Sequence, residues 1–178
     1  MYKSKLDARI QEERLQILVQ NLPSSLISTI AVSIFLFYIL IDKVDNTSAV
    51  AWITLVFILT LTRILHVNKI TREDNPSYRN EETLILLGTF FSGLLLGSSV
   101  LDIFPYNDAT AQILISFLLG SIIAGSVDVY SIHILSFIAY SLLIILAILY
   151  RASTLPTMLD LIFFIGFALY LSLLTTLF

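Results

Sequence analysis

The chain has no cysteine, so structural disulfides, thiolate zinc sites and cysteine nucleophiles are excluded at once. Charge is scarce too. Only 13% of the 178 residues are Asp, Glu, Lys or Arg, whereas 57% are hydrophobic and the mean hydropathy is +0.92. No water-soluble domain covers that much apolar surface with so few charges, so the solvent for most of the chain is the lipid bilayer. A net charge of −3 excludes the broad basic face that a nucleic-acid partner requires. A cleavable signal peptide is not expected in these residues, because about twenty mostly polar residues precede the first apolar run.

What is present is a series of six apolar stretches, at 23–41, 49–67, 83–104, 110–128, 131–150 and 158–178. Each approaches the roughly twenty residues that cross a hydrocarbon core of about 30 Å. The runs are continuous and lack the alternation of a membrane barrel, and the short polar links between them force neighbouring helices to be antiparallel. The expected fold is an all-α integral membrane protein, a six-transmembrane-helix bundle at 22–178 preceded by a cytoplasmic juxtamembrane helix at 1–21. Ser4 and Asp7, spaced as a capping box, and the Arg9–Glu13 pair support that leading helix. Comparing the first three spans with the last three reveals no internal repeat.

Cations set the expected orientation. With both termini in the cytoplasm, Lys3, Lys5, Arg9, Arg14, Arg63, Lys69, Arg72 and Arg79 fall inside, and only Lys43 and Arg151 fall outside. The expected location is the cell's inner (cytoplasmic) membrane, with the chain crossing it several times. The last stretch ends at Phe178 without a polar anchor, and the expectation is that a longer protein continues into the cytoplasm.

Catalytic machinery is not evident. No ionisable residue falls at the middle of a span; Arg63 and His66 near one end of the second span, Asp128 in a turn, and Asp102 and Asp160 at helix ends are each placed to snorkel to water. No phosphate loop, metal motif or nucleophile elbow appears, so the module itself is expected to be no enzyme and to carry no cofactor. His66 and His133 should lie at similar depth, which admits a bis-histidine haem or metal site beside the plainer reading of two interfacial histidines, with Asp128 or Arg63 as hydrogen-bonding partners. Hydroxyls in the spans admit a mostly apolar pocket for a lipophilic small molecule, with Ser92, Ser116, Ser136 and Tyr140 as candidate ligand contacts. Pro23, Trp52, Arg63, Gly93, Gly97, Gly120 and Gly125 are read as packing residues; Gly93 with Gly97, Gly120 with Ala124, and Ser121 with Gly125 have the small-xxx-small spacing of close helix contact.

Several of these residues resemble a family. Arg14, Asn21-Leu22-Pro23, Trp52 followed eleven residues later by Arg63, Ser92 to Gly97 with Pro105 after it, and the segment from Gly120 to Gly125 look like the N-terminal membrane regions of bacterial signalling proteins. Those regions precede a diguanylate cyclase (GGDEF) domain or a histidine kinase. Similar sequences often have tryptophan where Leu96 stands here. The resemblance implies a sensory input module, a homodimer, and a two-state bundle that passes a helix shift to an output domain in response to a lipophilic ligand or a membrane property. A small transporter or permease component and a haem-binding membrane sensor are the alternatives.

Overall fold

The computed structural model describes residues 2–72, 78–101, 108–130 and 132–154. These residues are all helical or turn, with no strand among them, and form α1 (Tyr2–Leu40), α2 (Asn46–Arg72), α3 (Tyr78–Leu101), α4 (Ala109–Tyr130) and α5 (Ile134–Thr154). All five are long and apolar enough to cross a membrane. The sixth stretch at 158–178, Pro105, Asp102 and Asp160 lie outside the described residues, as do the side chains of Ser4, Asp7, Arg9 and Asp128.

Each helix buries a stripe spaced three or four residues apart. On α2 the stripe is Ala49, Trp52, Val56, Thr60, Arg63, Val67 and Ile70; on α4 it runs through Ala111, Ile115, Leu119, Ile123 and Ser126. Such spacing keeps one face of a helix on its neighbours while Leu, Ile and Phe cover the opposite, lipid-directed face, as Ile58, Leu61, Leu65 and Phe117 do here. Helix starts follow local chemistry. Asp45 accepts hydrogen bonds from the Ser48 backbone N–H (3.0 Å) and hydroxyl (3.2 Å) ahead of α2, and Asp108 accepts one from the Ala111 N–H (2.9 Å) ahead of α4.

The expected juxtamembrane helix at 1–21 and the first span from 22 belong to one helix. α1 runs without interruption through Pro23, and Leu15, Leu18, Val19 and Leu22 are already buried in the shared core. The leading segment is thus built into the bundle from about Leu15 onward. Proline is tolerated inside a membrane helix because neighbouring helices and hydroxyl side chains compensate the lost bond. Ser24, next in sequence, donates to the Asn21 carbonyl (2.8 Å).

The most extensive helix contact joins α3 and α5. It is tight at Gly93, where a Cβ would overlap the Tyr140 carbonyl, and at Gly97, where a Cβ would come within 3.1 Å of the Leu143 carbonyl oxygen. Gly120 and Gly125 behave differently. A Cβ at either would meet nothing within 4 Å, so among the described residues no close packing is made at these small-xxx-small segments of α4, and Ser121, Ala124 and Gly125 lie exposed. Arg151, expected in a polar link, instead stands in the last turn of α5 with its side chain buried.

Candidate functional site

Polar side chains concentrate at the end of the bundle where α2 finishes and α3 begins. Arg63 is only 8% exposed. Rather than snorkelling as expected, it turns into the bundle, where Nη1 donates to the Ser92 hydroxyl (2.7 Å) and Nη2 donates to the Tyr130 phenol (3.2 Å). Inward is the cheaper direction for two reasons. Its two acceptors sit on α3 and α4 at the span of the planar guanidinium fork, and Gly88 opens the space it fills, since a Cβ there would lie 2.9 Å from Nε. Ser92 in turn donates to the Gly88 carbonyl (2.9 Å). On the same α2 stripe, three helical turns before Arg63, Trp52 donates from Nε1 to the Leu95 carbonyl (2.7 Å). Trp52 and Arg63 therefore rivet one face of α2 to α3.

The two histidines are held at this same end, each by one of two consecutive glutamates in the first turns of α3. His133 Nε2 lies 3.1 Å from Glu82 Oε1, and its Nδ1 lies 2.8 Å from the Ser136 hydroxyl and accepts from the Ser136 N–H (3.3 Å). An imidazole that accepts at Nδ1 keeps its proton on Nε2, where it donates to the carboxylate. His133 is thereby both the N-cap of α5 and a link to α3. His66 Nε2 approaches Glu81 Oε2 at 3.2 Å across α2 and α3, an ion-pair distance without hydrogen-bond alignment. Of the expected partners, Arg63 is bonded to Ser92 and Tyr130 instead, while the Asp128 side chain lies outside the described residues; Glu81 and Glu82 follow each other on a helix and point about 100° apart. For the same reason the pairs diverge, and among the described residues no group of three or more His, Asp or Glu could hold a metal ion.

Next to this cluster a groove of about 340 Å3 opens between α1 and α4, with Tyr140 of α5 at its floor. Ser24, Ser25, Ser28 and Thr29 line one wall, and Ser121, Gly125 and Ser126 line the other, with Val32, Ile122 and Val129 supplying apolar surface. Gly125 matters here because its missing side chain leaves the groove unfilled. Tyr140 is 2% exposed, and its ring packs at 5.5 Å from that of Tyr130, the residue that holds Arg63. A continuous path of contacts thus runs from the groove through two tyrosines to the buried guanidinium.

The four candidate ligand contacts separate. Tyr140 lines the groove; Ser92 lies behind it on Arg63; Ser136 is buried at the α5 cap; Ser116 is half-buried and away from the groove. Residues that reading by sequence missed are Thr29, Ser25, Tyr130, Glu81 and Glu82. A signal for the wall existed, since Ser24-Ser25 and Ser28-Thr29 recur four residues apart and share a face of α1. Tyr130 had none, because only the tertiary fold brings α4's last residue to Arg63. Among known proteins, the chain matches no family model, no curated protein and no solved structure.

Proposed function

We propose that the chain is a membrane-embedded sensory input module that takes a small lipophilic or amphipathic ligand into the groove between α1 and α4. The observation that carries this reading is the groove itself, open between two helices at a volume suited to a small ligand and lined by both hydroxyl and apolar groups. Its floor residue, Tyr140, sits against Tyr130, and Tyr130 holds Arg63 on α2, so an occupant would bear on the contacts among α1, α2, α4 and α5 together. The likeness of Trp52, Arg63 and the Ser92–Gly97 segment to bacterial signalling proteins supports a receptor working as a homodimer in an inner membrane. In that arrangement the basic α2–α3 end faces the cytoplasm, and a diguanylate cyclase or histidine kinase domain receives the signal.

A receptor requires that the ligand favour one helix arrangement over another, since equal affinity for both shifts nothing. The absence of native cysteine makes the test direct. Spin labels at Ile27→Cys and Phe117→Cys, both exposed and on the two helices that flank the groove, report their separation in the full chain reconstituted in nanodiscs. Addition of total lipid extract from bacterial membranes is expected to change the distance distribution. An unchanged distribution in a sample to which extract components demonstrably bind would remove the receptor reading, and solute uptake by proteoliposomes would favour a permease instead.

A further inference from the structure

Resting on that reading of the groove, we infer that its occupant is a single-chain amphiphile with a neutral, hydroxyl-bearing head, of the monoalkyl glycerol type. The argument turns on what the groove's hydroxyls already do. Ser24 donates to the Asn21 carbonyl (2.8 Å), Ser28 to Ser24 (3.0 Å), Thr29 to Ser25 (2.9 Å), Ser121 to Phe117 (2.9 Å) and Ser126 to Ile123 (2.7 Å). Each of these hydroxyl hydrogens is spent on a carbonyl of its own helix, the ordinary arrangement for serine and threonine in an apolar medium. Each oxygen keeps acceptor capacity, and of the groove's seven hydroxyls only those of Ser25 and Tyr140 make no such carbonyl bond.

The polar walls therefore present acceptors more than donors. A head that offers O–H donors adds hydrogen bonds without disturbing any that exist. A head that only accepts, such as a methyl ester, finds donors only at Ser25 and Tyr140 and leaves the acceptors of the other five hydroxyls unused. Charge narrows the choice further. An ammonium head also donates, but the Arg63 guanidinium lies one tyrosine behind the groove floor, and like charges repel strongly at low dielectric. A carboxylate would be drawn toward Arg63, yet the Tyr130 and Tyr140 rings stand between them and keep the guanidinium's donors from reaching it. A neutral polyol is what remains. The walls' apolar members, Val32, Ile122 and Val129, and the opening between α1 and α4 let its alkyl chain lie toward lipid.

The test uses a photoreactive monoalkyl glycerol, with a diazirine in its chain, added to the full chain in phosphatidylcholine nanodiscs. Labelled peptides are mapped to residues, and competitors of equal chain length are compared at equal mole fraction in the bilayer. Labelling is expected on α1 and α4 around Ser28 and Gly125, and unlabelled alkyl glycerol should displace the probe at a concentration at least tenfold lower than the matched methyl ester, fatty acid or alkylammonium. Gly125→Leu, whose Cβ meets nothing within 4 Å among the described residues, should cut labelling at least tenfold at unchanged thermal stability. If the methyl ester, acid or amine competes as well as the diol while labelling stays in the groove, the inference about the head fails and the groove remains a site. If labelling falls elsewhere, or Gly125→Leu leaves it intact, the groove reading fails together with the inference.

Discussion

At the scale of single residues, the governing fact is that a charge buried in an apolar bundle must be met by fixed dipoles. Arg63 is met by two neutral hydroxyls on two other helices. Tyr130→Phe keeps the ring contact with Tyr140 but removes one of the two acceptors, and the expected cost is about 1.5–3 kcal/mol, the range for a hydrogen bond to a charged group. Thermal unfolding of the purified variant in detergent measures it. Glycines supply a second contrast. Gly93→Ala forces a methyl into the Tyr140 carbonyl and is expected to destabilise by about 1–3 kcal/mol, whereas Gly125→Ala meets open space and should leave the unfolding midpoint nearly unchanged. The two glycines look alike in sequence, and no local pattern distinguishes them, because which one faces a backbone depends on the helix that packs opposite.

At the scale of helices, ends matter more than middles. His133 caps α5 and joins it to Glu82. His133→Ala is expected to cost about 0.5–2 kcal/mol from the cap alone. His133→Asn, whose side-chain oxygen still accepts from the Ser136 N–H, should recover much of that loss without restoring the link to Glu82. At the opposite end, Asp108 caps α4 and pairs with Lys43 in the α1–α2 turn. The hydrogen bond from Lys43 and then that from the Ala111 N–H hold the Asp108 carboxyl below the ordinary value of 3.8. Because the folded value is depressed, the stabilisation is complete above the ordinary carboxylate range and is lost as pH falls through the folded value. Unfolding temperature measured from pH 6 down to pH 3 should therefore fall less steeply for Asp108→Asn than for the native chain. The Asp45 and Asp108 caps follow from the Asp-x-x-Ser and Asp-x-x-Ala spacing at apolar runs. A histidine cap does not, since histidine has no such preference and the role depends on Glu82 orienting the ring.

At the scale of the whole molecule, the bundle is polarised. One end holds Arg63, both histidine–glutamate pairs and the groove; the other holds the Lys43–Asp108 contact. If the polar end faces the cytoplasm as proposed, a single cysteine at Lys69 should react with a membrane-impermeant maleimide only after cells are permeabilised, and one at Asp42 should react in intact cells. The reverse pattern would invert the assignment. The five described helices were legible from sequence because membrane spans announce themselves by length and hydropathy, and their bounds differ from the apolar runs chiefly where helices run on into polar flanking residues, as α1 and α2 do. The continuity of α1 was not legible: Pro23 and the polar residues before it resemble a break, and only burial of Leu15, Leu18, Val19 and Leu22 against other helices carries the helix through. What the sequence determined by itself is the medium, since composition decides whether a chain is solvated by water or lipid, and with it the helical class. What only the tertiary structure decided is where the hydroxyls and charges meet. Serines, tyrosines and an arginine far apart in the chain converge through helix rotation and crossing, and those are set by long-range packing that no local window contains.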